Sequence, residues 1–389
     1  MNFLSLSTEY LESKGAIHTA REINQQPAMW EKTYQLIAAG KSCILNFLQK
    51  FSDADQPQVI LTGAGSSAFI GESLVGPFQK EWGIICKAVS TTDIVTHPEN
   101  YFIKTKPTLL ISFARSGNSP ESLHTCELAR HFCDDLYELN ITCNKQGALA
   151  KQNQSKKTLT ILLPDETNDE SLAMTSSFSS MLIAGLFLAH IRKIEQLNTV
   201  VSSVCKMGDY ILNNYLPVFL DISKIDFKRM VFLGSGPLLG IAHESHLKVQ
   251  EMSDGKVICK YDSFLGFRHG PKAVVNADTF LVYLFTNQAK PRLYELDLLG
   301  SVNETAAGEK SLVIGNDIDD KKYRFDLSIQ FPEEINALPE EFLSVFYVLP
   351  AQLIAFFKSL HLGLSPDSPS KSGAISRVVQ GVTIYPISE

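Results

Sequence analysis

VILTGAGSSAFIGESL, from Val59 to Leu74, is the stretch whose reading decides the fold. An apolar run stops at Gly63, turns through Gly65, and opens a helical pattern on Ser66 and Ser67. At such a strand-to-helix turn, free backbone N–H groups and the positive end of the helix dipole favour an anion. Three readings compete: a dinucleotide fingerprint, a cradle for a smaller phosphate, or a tight turn with Ser66 as helix cap. The dinucleotide pattern fits poorly. Ala68 takes the third place after Gly63 and Gly65, and Asp93 lies beyond the roughly 20-residue spacing expected of the ribose-binding acid.

A second stretch favours the phosphate cradle. TLLISFARSGNSPESL (108–123) is another apolar strand, followed by Arg115, Ser116, Gly117, Asn118 and Ser119, with Pro120 at a first helical position. Parallel strands deliver their C-terminal ends to one edge of a sheet, so both serine-rich helix starts are expected to meet at one ligand. A G-x-x-x-x-G-K-[ST] run, the mark of a P-loop, does not occur. A third hydroxyl cluster, MTSSFSS (174–180), offers Thr175 to close the pocket; taken alone, it reads as a capped helix with solvent-facing serines.

The plan recurs. MVFLGSGPLLGIAHES (230–245) again runs an apolar strand into Gly234-x-Gly236 and an apolar helix, with Glu244 following as Glu72 does in the first copy. KAVSTTDIV, TLLISFA, LYELNIT and TLTILLP read as strands of the first copy; KVICKYD, DTFLVYLFT and SLVIGN read as strands of the second. Strands alternating with helical stretches predict an α/β fold with two tandem lobes, each a parallel sheet flanked by helices. The first ~50 residues read as mostly helix without strand, EINQQ being extended up to a break at Pro27. The boundaries are an N-terminal helical segment 1–50, a first lobe 51–215, and a second lobe with its tail 216–389.

Bulk properties narrow the function. The formal charge of −7 and the lack of a Lys/Arg cluster argue against nucleic acid. The most apolar stretches, 181–191 and 342–357, read as buried helices: one is too short to span a bilayer, and the other carries Pro350 and Gln352. Seven scattered cysteines without a CxxC pair, and an N-terminus that meets acidic residues early, predict reduced thiols in a cytoplasmic protein with no membrane partner.

GAGSS and SFARSGNSPES resemble the phosphate loops of the sugar isomerase (SIS) domain family, and the resemblance covers both lobes. ESHLKVQEMSDGK…GFRHGP is similar to the isomerase half of glucosamine-6-phosphate synthase. TAREINQQPAMW, SFARSGNSPES and RVVQGVTIYP resemble the tagatose-6-phosphate ketose/aldose isomerase group, also described as galactosamine-6-phosphate deaminase/isomerase. The resemblance implies flavodoxin-like lobes, a sugar-phosphate ligand, no cofactor, and a homodimer or larger homo-oligomer with shared active sites. Gly65, Ser66, Ser67, Arg115, Ser116, Asn118, Ser119 and Thr175 are the candidate phosphate-binding residues. Arg115 stands where the synthase has glutamine and offers a charged fork.

Within ESHLKVQE, Glu244, Lys248 and Glu251 fall on one helical face, which reads either as a surface salt-bridge ladder or as a carboxylate tuned beside a lysine. His269 before Gly-Pro reads either as a turn residue or as a catalyst. The resemblance assigns proton transfer between C2 and C1 to Glu251 and ring-oxygen chemistry to His269, with Lys248 beside the base. HESH (243–246) is one residue short of a zinc motif and is rejected as a metal site. In the tail, Lys371 and Arg377 are the candidates for the synthase's substrate-reaching lysine. The expected reaction converts galactosamine 6-phosphate to tagatose 6-phosphate and ammonia. The rivals are a non-catalytic sugar-phosphate regulator and a fructosamine-6-phosphate deglycase.

Overall fold

A computed structural model of the chain describes residues 2–152, 155–305, 308–379 and 381–385. Two short strands, β1 (Asn2–Phe3) and β2 (Leu6–Ser7), pair antiparallel across Leu4 and Ser5, both at positive φ. This corrects the strandless N-terminus of the sequence reading; strands of two residues are too short to show a period. Ser7 then accepts the Tyr10 N–H and caps α1 (Thr8–Ser13). α2 (Ile17–Asn24) and α3 (Gln26–Ser52) follow with only Gln25 between them. EINQQ is therefore largely helical rather than extended. Pro27 sits in the first turn of α3, where a missing N–H costs nothing.

The first sheet is built from β3 (Gln58–Thr62), α4 (Ser66–Trp82), β4 (Ile85–Ala88), α5 (Thr91–Thr96), β5 (Thr108–Ala114), α6 (Pro120–Phe132), β6 (Leu136–Thr142), β7 (Thr158–Leu162) and α7 (Ser176–Ala189). α8 (Asn198–Asn214) and α9 (Leu216–Lys224) lead to the second sheet. That sheet is built from β8 (Arg229–Leu233), α10 (Pro237–Met252), β9 (Ile258–Asp262), α11 (Phe264–Phe267), β10 (Thr279–Leu284), α12 (Ala289–Thr305), β11 (Lys310–Gly315), β12 (Leu327–Gln330) and α13 (Glu340–His361).

Both sheets are wholly parallel and share one order: β4-β3-β5-β6-β7 and β9-β8-β10-β11-β12. This is the doubly wound 2-1-3-4-5 arrangement, whose switch point lies between the first and third strands of the series. Helices cover both faces, so the central strands β5 and β10 are buried along their whole length, and that is why they read as largely apolar runs. The two most apolar stretches became buried helices. Every residue of α7 is buried, and α13, long and apolar enough to cross a membrane, has 94% of its apolar window packed inside the protein. α7 packs on α4, and α13 packs on α10.

The repeat is exact at the turns. Gly65 has φ 55° and ψ −129°, and Gly236 has φ 57° and ψ −131°. A Cβ on Gly63 would lie 2.5 Å from the Ser67 carbonyl carbon, and one on Gly234 would strike the Leu238 carbonyl, so each helix starts against its strand only because glycine stands there.

Two compact units result: Met1–Pro27 with Ser202–Ile375, and Ala28–Val201 with Ser376–Glu389. Where the sequence reading cuts at 50 and 215 and leaves the tail with the second lobe, the first residues here group with the second sheet and the last with the first.

Candidate active site

In the unit of the first sheet, a notch of about 110 Å³ opens at the switch point between β3 and β5. Ser67, Arg115, Ser116, Ser119, Ser122 and Met174 line it, together with Arg377, Val378 and Val379 of the tail. Ser66 and Ser67, the first residues of α4, are both buried, and the Ser67 hydroxyl lies 3.8 Å from the Met174 sulfur. The two serine loops that the sequence singles out thus meet in one place. Gly65 supplies the positive-φ turn between β3 and α4.

The second loop is held rigid from behind. Asn144 Nδ2 donates to the Ser116 carbonyl (2.9 Å), the Leu149 N–H to the Gly117 carbonyl (2.9 Å), and the Ala148 N–H to Asn118 Oδ1 (2.9 Å). Asn118 therefore spends its side-chain oxygen on the scaffold. The Ser116 hydroxyl accepts the Asn118 N–H at 3.3 Å, and the Ser119 hydroxyl donates to Glu121 Oε2 at 2.7 Å. Such prior ordering lowers the entropy lost on binding.

Arg115 is placed differently from the fork the sequence suggests. Its Nη1 donates to the carbonyls of Ser171 (3.1 Å) and Leu172 (3.0 Å), and its Nη2 to the carbonyl of Arg377 (2.5 Å). The guanidinium thus ties three backbone segments around the notch. Arg377 completes the tie. Its Nε and Nη2 donate to the Asp169 carbonyl at 2.8 and 2.5 Å, and its Nη2 to Asn168 Oδ1 at 3.1 Å. Of the two tail candidates, Arg377 is thus built into the wall of the notch, whereas Lys371 is exposed and belongs to the other unit.

Asp169 is the residue that sequence reasoning missed. Fully buried, its Oδ2 accepts the N–H groups of Thr175 (2.8 Å) and Ser177 (2.9 Å) and the Ser177 hydroxyl (2.5 Å), capping α7 from a distance. Burial pushes its carboxyl up, against the pull of the Arg115 guanidinium and these donors. The available signal was an acid six residues ahead of a hydroxyl cluster opening an apolar helix. Thr175 is the buried N-cap residue of α7, and its neighbour Met174 reaches the notch. Ser176, Ser177, Ser179 and Ser180 are likewise buried rather than solvent-facing, a correction that follows from α7 being interior on every side.

The unit of the second sheet carries the proton-transfer candidates. Lys248 lies on α10 between two carboxylates, 2.8 Å from Glu251 Oε2 and 3.3 Å from Glu244 Oε1. Their side-chain exposures are 1% for Lys248, 0% for Glu244 and 22% for Glu251, so this is no surface ladder. Glu251 is the member open to solvent. His269 is exposed in the turn after α11, its N–H bonded to the Gly266 carbonyl at 3.0 Å. The His243 ring stacks on Tyr261 at 3.8 Å, and His246 packs beside both.

Residues 52–191, which hold the first sheet and both serine loops, match the SIS domain model. The chain is 39% identical to D-galactosamine-6-phosphate deaminase AgaS of Shewanella sp. (strain ANA-3), over 98% of its own length and 95% of that protein's. A solved structure of tagatose-6-phosphate ketose/aldose isomerase from Escherichia coli is 36% identical, covers 95% of this chain and 96% of its own, and gives a TM-score of 0.86. At 17% identity and a TM-score of 0.72, the C-terminal domain of glucosamine-fructose-6-phosphate aminotransferase from Francisella tularensis shares the fold. This chain belongs to the AgaS family of SIS-domain proteins.

Proposed function

We propose that the chain is a deaminating aldose–ketose isomerase that converts galactosamine 6-phosphate and water to tagatose 6-phosphate and ammonia. The observation that carries this reading is the convergence of two serine-rich helix starts on one notch, the arrangement a phosphate monoester needs. The names borne by the full-length relatives supply the substrate class.

In the open-chain 2-amino aldose, Glu251 takes the proton from C2, giving an enolamine. The same carboxyl returns a proton to C1, which leaves a ketimine at C2. Water adds to that carbon and ammonia departs, leaving the ketose. Lys248, buried beside Glu251, orients its carboxylate through the 2.8 Å contact with Oε2. His269 handles the ring oxygen during ring opening. Ser66, Ser67, Ser116 and Ser119 hold the phosphate, with Gly65 and Asn118 shaping the loops and Thr175 fixing the start of α7. Arg115 and Arg377 position the walls. The working form is a cytoplasmic homodimer in which the exposed His269 serves the neighbouring copy's substrate.

Ammonia release measured with galactosamine, glucosamine and fructosamine 6-phosphates tests the proposal. Turnover of the galactosamine ester to a ketose phosphate is the expected result. Turnover of fructosamine 6-phosphate alone would indicate a deglycase, and binding without turnover of any would indicate a regulator.

A further inference from the structure

The two lobes repeat the same glycine turn, with Pro237 and Leu238 in the second where the first has Ser66 and Ser67, yet the second holds something beside it. After its last strand, each lobe runs through a short 3-10 turn into a buried helix: β7, Asp165–Thr167 and α7 in one, and β12, Glu333–Ala337 and α13 in the other. The first residue of α7 is Ser176, and the first of α13 is Glu340. A Cβ built on Gly65 meets no described atom within 4 Å, whereas one on Gly236 lies 3.9 Å from Glu340 Oε1.

The sheet register makes the comparison quantitative. Thr62 pairs with Ser112 in the first lobe and Leu233 with Tyr283 in the second, so Thr286 stands at the position of Arg115 and Asn287 at that of Ser116. Thr286 Oγ1 donates to Glu340 Oε1. Asn287 Nδ2, in place of the Ser116 side chain, donates to the carbonyls of Ile335 (3.0 Å) and Leu338 (2.8 Å), drawing the approach to α13 onto the loop. Its neighbour Glu295, 1% exposed, accepts the Thr286 N–H at 2.9 Å. Burial, with a contribution from the Glu340 charge, pushes the Glu295 carboxyl up to about 8.

We infer that Glu340 is an internal anion seated in the second lobe's copy of the phosphate cradle, so that each chain takes one phosphate ester and the vacated cradle would accept a second phosphate. The inference rests on the reading of the first-lobe notch as a phosphate site. Its ligand class is a tetrahedral oxyanion, and the glutamate carboxylate supplies the same negative charge at the same helix start.

The test is the stoichiometry of inorganic phosphate bound by the full chain, read by equilibrium dialysis. Wild type is expected to bind one phosphate per chain and Glu340→Ser two. A folded Glu340→Ser that binds no more phosphate than wild type overturns the inference. In a Ser67→Ala background the first site is weakened, and adding Glu340→Ser should add one bound phosphate to whatever that background retains. If wild type binds none while Glu340→Ser binds one, the first-lobe reading fails, and with it the count of one ester per chain, while the seating of Glu340 in the second cradle is supported. Should Glu340→Ser fail to fold, the shape-conserving Glu340→Gln provides the second measurement. It is expected to lower Tm by several degrees, because the cradle donors lose their anion; an unchanged Tm overturns the inference.

Discussion

Arg377→Ala probes how the tail completes the notch. The side chain makes hydrogen bonds to two acceptors, the Asp169 carbonyl and Asn168 Oδ1, while its own carbonyl receives Arg115 Nη2. A hydrogen bond with a charged partner contributes about 1.5–3 kcal/mol, and the half-buried setting argues for the lower end. Loss of the side chain therefore costs about 2–3 kcal/mol of tail docking, which is roughly a 30- to 150-fold shift toward the undocked form. Val378 and Val379 would leave the wall of the notch with it. KM for the sugar phosphate is expected to rise on the order of tenfold, with kcat falling less. Tm should barely move, because the tail opens locally. Steady-state ammonia release, Tm and limited proteolysis of the tail are the assays. An unchanged KM with a tail still protected from protease would refute the reasoning.

Other perturbations reach other parts of the account. Ser67→Ala should raise KM by roughly ten- to hundredfold through loss of one charge-assisted hydrogen bond, with little effect on Tm. Gly63→Ala places a methyl 2.5 Å from the Ser67 backbone; a loss of about 1–3 kcal/mol in denaturant titration and a raised KM are expected together. Glu295 has its folded carboxyl at about 8 against an ordinary 4.5, so the native state keeps a proton that the unfolded chain gives up. The stability it supplies is full below the unfolded value and drains away as pH rises toward 8, on the order of 5 kcal/mol in all. Glu295→Gln should flatten that decline between acid and mildly alkaline pH, and a decline of unaltered depth would contradict the assignment.

How far the sequence could be read depended on burial. TLLISFA and LYELNIT were legible as strands because parallel strands buried on both faces are rich in apolar residues, and the few polar ones, such as Ser112 and Asn140, are themselves buried. The four-residue edge strand Leu327–Gln330, half solvated, gave no such run and went unread. The two serine loops were legible as strand-to-helix turns because glycine, serine and proline cluster where a chain must turn and start a helix. Asp169 was not, since a remote cap has no fixed spacing and shows only when the chain has folded back on itself. Arg115 looked like a ligand because a sequence displays its charge and hides the carbonyls that use it. Glu340 was not singled out, since an acid in a helix's first turn suits the helix dipole anywhere. Only the register between strands reveals that it stands in a duplicated cradle.

The central claim is that one serine-lined notch grips the phosphate while Glu251 moves the proton. Exchange of the C2 hydrogen of the substrate for solvent deuterium, measured beside substrate affinity in wild type and Glu251→Gln, tests it most directly. The account predicts exchange in wild type, its abolition in Glu251→Gln, and an affinity that is nearly the same in both. Undiminished exchange in Glu251→Gln, or loss of binding with the exchange per bound molecule preserved, would contradict it.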